Sequence, residues 1–184
     1  MLEGGNPIMQ KFQFLLLDAG IIIGAHELGV WDQLIHRCRV TITGTVKEEA
    51  DFWCDEQNVG HEIDLDRDVE AENIKCIDVS LSQVTNFCNE FGPAYLDRMD
   101  PGEAESLAYL FYSEEEWQIA SADSHVFKVL GFLGLGERGI SLEEILNQVG
   151  LGRGVHSKYS RMFRKKYTAM GKQDGITGIG SKEG

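Results

Sequence analysis

Three acidic residues in this chain stand where residue type and position together make chemistry available. Asp18 ends the apolar run Phe12-Gln13-Phe14-Leu15-Leu16-Leu17. Glu103 lies in Asp100-Pro101-Gly102-Glu103-Ala104-Glu105-Ser106, a helix opening. Asp123 closes a second strand-like run, Trp117-Gln118-Ile119-Ala120-Ser121-Ala122. Ligands of parallel α/β sheets bind beyond the carboxyl ends of the strands, so both strand-ending aspartates are expected to face one crevice. Carboxylates gathered there repel one another unless a cation holds them, and hard oxygen ligands suit Mg²⁺ or Mn²⁺. The pattern points to a metal-dependent enzyme.

Each acid also has a plainer duty. Asp18 and Asp123 could cap the helices that follow them, since aspartate is favoured at the N-cap. For Asp18 alone, capping is the better reading. Glutamate at the third position of an aspartate-initiated helix stabilises its start without any chemistry, and that covers Glu103. The joint occurrence at two strand ends and one helix start is what favours a shared site.

The elements needed to position these acids follow from hydrophobic period and capping signals. After the first strand, Ala19 to Cys38 reads as a helix weakened by Gly24 and Gly29. Val40-Thr41-Ile42 is a short strand, and Thr45-Val46-Lys47-Glu48 opens a helix that carries Glu49, Phe52 and Trp53. His61 to Glu72 reads as an acidic loop, Ile74 to Val79 as a strand, and Ser82 to Glu90 as a helix stopped by Gly92-Pro93. Asp100, Pro101 and Glu103 then supply N-cap, first position and third position of a helix through Tyr112. Strand Gln118 to Ser121, a helix from Ser124 to Phe132 and a last helix capped at Ser141 complete the pattern. Strands alternating with helices predict an α/β fold, a parallel β-sheet flanked by helices on both faces.

Composition places limits on this reading. The chain has 184 residues, enough for one domain plus a tail, with 42% hydrophobic and 26% charged residues, as in ordinary globular proteins. Net charge is −13, but from Arg153 onward eight cations face two acids, so the preceding 152 residues carry −19. That segment, rich in glycine and poor in large aliphatics, is expected to be a flexible basic tail (152–184) beyond a domain at 1–151. Tyr159, Met162, Phe163 and Tyr167 could still form one short amphipathic helix there. Cys38, Cys54, Cys76 and Cys88 are widely separated and fit neither a zinc site nor a disulfide framework. The apolar stretch from Phe14 to Ala25 is too short to span a bilayer and contains Asp18, so a cytoplasmic protein with no membrane partner is expected.

Other signals fail on their context. Gly134-Leu135-Gly136-Glu137-Arg138-Gly139 spells a dinucleotide fingerprint but follows a helix, which makes it a turn. Asp64-Leu65-Asp66-Arg67-Asp68 begins like a calcium loop, yet Val69 replaces the required glycine and Lys75 the bidentate glutamate. A solvated acidic loop is the reading for that stretch. A phosphohydrolase of the haloacid-dehalogenase type wants Asp-x-Asp after the first strand, and Gly20 occupies the second position.

At these acids the sequence resembles the PIN-domain family of metal-dependent nucleases, over roughly Phe12 to Leu151. Leu17-Asp18-Ala19-Gly20-Ile21-Ile22 resembles the first-strand motif. Glu49, in Thr45-Val46-Lys47-Glu48-Glu49, resembles the second acid. Gly102-Glu103-Ala104-Glu105 resembles the third through Glu103, and Ser121-Ala122-Asp123 the fourth, with Ser121 in support two residues before the aspartate. The resemblance implies catalytic Asp18, Glu49, Glu103 and Asp123, with Asp18, Glu103 and Asp123 as metal ligands for Mg²⁺ or Mn²⁺. It implies an endoribonuclease, with RNA as substrate and the toxin of a toxin-antitoxin pair as its setting. An antitoxin protein and a second copy of the chain are the candidate protein partners. The alternative is a PIN-like interaction module without catalysis.

Overall fold

The chain's structure, a computed structural model, describes residues 12–182, so the outer ends of the expected 1–151 and 152–184 divisions lie outside the described residues. It begins with strand β1 (Phe12–Leu17), helices α1 (Ala19–Glu27) and α2 (Trp31–Arg37), and strand β2 (Cys38–Thr43). Helix α3 (Gly44–Glu49) leads into strands β3 (Phe52–Cys54) and β4 (Gly60–Glu62), helix α4 (Leu65–Glu70) and strand β5 (Ile74–Ile77). Helices α5 (Leu81–Cys88), α6 (Pro93–Leu96) and α7 (Pro101–Tyr112) precede strand β6 (Gln118–Ala120). Helix α8 (Ser124–Phe132), strand β7 (Gly139–Ile140), helix α9 (Leu142–Gln148) and helix α10 (Arg161–Thr177) follow.

The main sheet runs in the order β5-β2-β1-β6-β7, and every neighbouring pair is parallel. Both of its faces are covered. Leu15 and Leu17 of β1 pack with α1, α2 and α9, whereas Leu16, pointing the other way, packs with α5, α7 and α8. All three leucines are fully buried, and each such burial stabilises by about 1.5–3 kcal/mol. Successive apolar residues are required because both faces of a parallel strand are covered. From central β1 the chain builds outward through β2 and β5, then returns to the other side for β6 and β7. The order therefore reverses between β1 and β6, and Leu17 pairs with Ala120 there, setting the ends of the two strands level.

Several local expectations are corrected. The helix expected from Ala19 to Cys38 is two helices, broken where Gly29 adopts φ +62°, a left-handed turn that suits glycine. Thr43, not Thr45, caps α3, which ends at Glu49; Phe52 and Trp53 belong to a β3–β4 hairpin instead. The stretch from His61 to Glu72 is not a solvated loop. It contains β4 and α4, and Asp68 is buried, accepting a 2.8 Å bond from the Trp31 indole.

The basic tail is also corrected. Beyond Leu151 the chain forms α10, which lies across α8, and Tyr159 enters the core against Gly24. Glycines, which suggested flexibility, are what permit the crossing: a Cβ on Gly131 would strike the Thr168 carbonyl, and one on Gly171 the Lys128 carbonyl. Small residues thus let two helix backbones touch, and Phe163 and Tyr167 fill the flank of the contact. Arg164 locks the assembly with two 2.8 Å bonds to Glu144 at the start of α9. Against the burial that would raise it, Arg164 and Ser141 hold the Glu144 carboxyl down at about 2. The Tyr95 hydroxyl donates to Asp174 near the far end of α10.

Because the obstruction at Gly171 is backbone, Gly171→Val should destabilise the protein by about 1–3 kcal/mol or more, as overpacking does. Removal of residues 152–184 should lower the thermal transition. A denaturant midpoint unchanged by the valine, or a melting temperature unchanged by the truncation, would contradict this packing.

Candidate functional site

The carboxyl ends of β1 and β6 deliver their aspartates to one crevice, at the reversal of strand order where open α/β sheets bind ligands. Asp18 follows Leu17 directly, and its backbone N–H donates to the Ala120 carbonyl at 3.1 Å. Asp18 holds the N-cap position of α1, but its side chain makes no capping hydrogen bond there. Instead its Oδ2 accepts a 2.7 Å hydrogen bond from the Ser121 hydroxyl, whose oxygen in turn accepts the Asp123 N–H at 2.9 Å. Ser121 is buried. One hydroxyl therefore ties the two strand ends together.

Asp123 does cap its helix: Oδ1 accepts the His125 N–H at 2.6 Å. His125 is fixed in turn, because Nε2 donates to the Tyr95 carbonyl at 2.8 Å, and burial lowers its proton affinity. Glu103 performs the capping duty expected of it. In the capping box of α7, Asp100 Oδ1 accepts the Glu103 N–H at 2.8 Å and Glu103 Oε2 accepts the Asp100 N–H at 3.4 Å. Yet Glu103 is only 3% exposed, a burial that a capping role does not require.

Electrostatics connect these acids. Burial, with Asp100 and Asp123 adding repulsion, pushes Asp18 up to about 6 despite the Ser121 bond. Burial first, then Asp100, Asp123 and Asp18, pushes Glu103 up to about 9. Glu49, the last residue of α3, is raised by burial and by Asp100 and Asp18. The four predicted acids thus share one field. Asp100 is the member that sequence reasoning missed: assigned only to capping, it bears on Asp18, Glu49 and Glu103 alike. Its place three residues before Glu103, on the same helix start, was the available signal.

Among the described residues, no cation forms an ion pair with Asp18, Glu49, Asp100, Glu103 or Asp123. The donor set, all carboxylate oxygen, fits a hard divalent cation, and the raised proton affinity of Asp18, Glu49 and Glu103 marks a place that favours added positive charge. Its arrangement is open: among the described residues no three His, Cys, Asp or Glu side chains stand close enough, as placed, to hold an ion. A hollow of about 750 Å³ lies elsewhere, beside the amino ends of β2, β5 and β6, and none of the five acids lines it. Among the described residues no helix is long and apolar enough to cross a membrane. No family model, curated protein or solved structure matches this chain. Fold and site by themselves define an α/β protein with a carboxylate cluster at the switch point of a parallel sheet.

In the metal-free protein the raised acids make stability fall as pH rises. The folded state holds protons that the unfolded chain has released, for Asp18 between about 4 and 6 and for Glu103 between about 4.5 and 9. Stability should therefore decline from about pH 4 to pH 9. Asp18→Asn should raise metal-free stability above pH 6 by on the order of 1–3 kcal/mol. Urea unfolding across this range checks both, and a flat or rising profile in the parent would contradict the assignment.

Proposed function

We propose that this chain is a metal-dependent nuclease of the PIN type, hydrolysing phosphodiester bonds of RNA. The observation that supports it most is the convergence of Asp18, Glu49, Glu103 and Asp123, from four separate parts of the sequence, on the β1–β6 crevice without a compensating cation among the described residues. A structural cluster gains nothing from such crowding, whereas a divalent cation would relieve it.

In this reading Asp18, Glu103 and Asp123 hold Mg²⁺ or Mn²⁺. When bound, the cation supplies Lewis acidity for activating water and stabilising the leaving oxygen. The chain's own residues set the geometry. Ser121 fixes the orientation of Asp18, and the His125 N–H fixes one oxygen of Asp123. Glu103, protonated at neutral pH in the metal-free form, gives up a proton as the site loads. Glu49, exposed at the mouth of the site, would help hold the cation through a water. RNA is chosen over DNA by the family resemblance alone. An acidic body needs cations to approach phosphate, and the exposed Lys165, Lys166 and Lys172 of α10 can supply them. The same resemblance suggests the toxin of a toxin-antitoxin pair, with an antitoxin and a second copy of the chain as partners, and a cytoplasmic setting suits that role. The open arrangement of the acids favours the alternative, an interaction module on the same fold, and the same assay separates the two.

With Mn²⁺ or Mg²⁺, the protein should cleave mixed single-stranded RNA, and EDTA should stop it. Asp18→Asn and Asp123→Asn should each reduce the rate on the order of a hundredfold or more while the protein stays folded. Full activity of either variant, or a parent that cleaves nothing, would sink the proposal.

Glu103→Gln separates capping from metal holding. Glutamine serves in a capping box as glutamate does, so the metal-free melting temperature should change little. Parent affinity for Mn²⁺ should rise as pH rises from 6 to 9, about tenfold per unit for one displaced proton. In Glu103→Gln the Mn²⁺-induced melting shift should be lost. A metal response that survives the substitution would leave Glu103 as a cap only.

A further inference from the structure

Helix α3 has six residues, too few to hold a direction by its own hydrogen bonds, yet it must aim Glu49 at the crevice. Two contacts with α7 accomplish this. At the start of α3, the Thr45 N–H donates to Glu105 Oε2 at 3.1 Å. At its end, the Glu49 carboxyl lies over Gly102: a Cβ there would fall 2.5 Å from Oε2 and 3.1 Å from Oε1. Positions 102 and 105 are neighbours on one face of α7, three residues apart, and positions 45 and 49 are neighbours on one face of α3. The pairs run in opposite directions, 102 with 49 and 105 with 45.

We infer that Gly102 and Glu105 are positioning residues for Glu49, clasping α3 against the start of α7 at both ends. Neither touches the reacting atoms. What Glu49 does once positioned rests on the nuclease reading above; the clasp itself does not. Gly102 is required for the absence of a side chain, not for any backbone twist. Glu105 is required as an acceptor. Glu49 sits at the far end of a flexible side chain, so a methyl group at 102 displaces it cheaply and the fold survives.

The clasp can be tested in the metal-free protein. In Glu105→Ala, hydrogen exchange at the Thr45 amide should quicken about tenfold, as expected when one hydrogen bond is lost. Glu105→Gln, which keeps an acceptor, should restore protection. In Glu49→Ala the Gly102 amide resonance should move, while those of the α7 interior stay. Exchange at Thr45 indifferent to Glu105→Ala, or a Gly102 amide indifferent to Glu49→Ala, overturns the clasp.

Mn²⁺-dependent melting supplies the functional arm. Gly102→Ala should lose as much of the Mn²⁺ shift as Glu49→Gln does, the double variant should lose no more, and Glu49→Asp, one carbon shorter, should recover part of it beside Ala at 102. Losses that add independently overturn the positioning role. A parent with no Mn²⁺ response at all defeats the nuclease reading alone, because the amide measurements still decide the clasp.

Discussion

Like charge confined between β1 and β6 is the constraint to which the surrounding structure answers. At an effective dielectric of about 20, two unit charges 4 Å apart repel by about 4 kcal/mol, and a whole domain is stable by about 5–15 kcal/mol. Five acids cannot all be ionised in such a place without a counterweight. Two features lessen the strain in the metal-free protein. Asp18 and Glu103 retain protons to about 6 and about 9. In addition, α1, α7 and α8 all begin at the crevice, so the partial positive charge of three helix starts falls on these carboxylates. A parallel sheet produces two of the three automatically, because the carboxyl ends of β1 and β6 feed α1 and α8, whereas α7 is brought there by the turn after α6.

Much of the fold was legible in the residues. Two apolar runs ending in aspartate marked the ends of β1 and β6, Asp-Pro-Gly-Glu marked the start of α7, and strand–helix alternation pointed to the parallel sheet. The illegible parts were those in which one residue type serves two ends. An aspartate at an N-cap reads the same whether or not it also bears on a buried neighbour, which hid Asp100. Glycine reads as freedom, but at 131 and 171 it marks helices in contact, which hid α10. The exposed-looking acidic stretch around Asp68 concealed a buried carboxylate because its partner, Trp31, lies 37 residues away. Pairings so distant leave no trace in local pattern.

Ser121 shows how little material the site uses to stay in order. Its hydroxyl both donates and accepts, and the two bonds run to different strand ends. A carboxylate with no such partner would be free to rotate away from its neighbours' charge. Held, it keeps the crevice crowded, which is what makes positive charge welcome there.

The glycine crossing of α8 and α10 has a mechanical consequence. Where side chains separate two helices, they act as compliant spacers, and each helix can shift by some tenths of an ångström before the other responds. Here backbone rests on backbone at Gly131 and Gly171, and protein interiors so packed are nearly incompressible. The two helices are therefore one stiff strut. Asp123 sits at one tip of that strut, and the outer face of α10, with Lys165 and Lys172, is its handle. A load applied to that face from solvent is delivered to the end of β6 with little lost on the way.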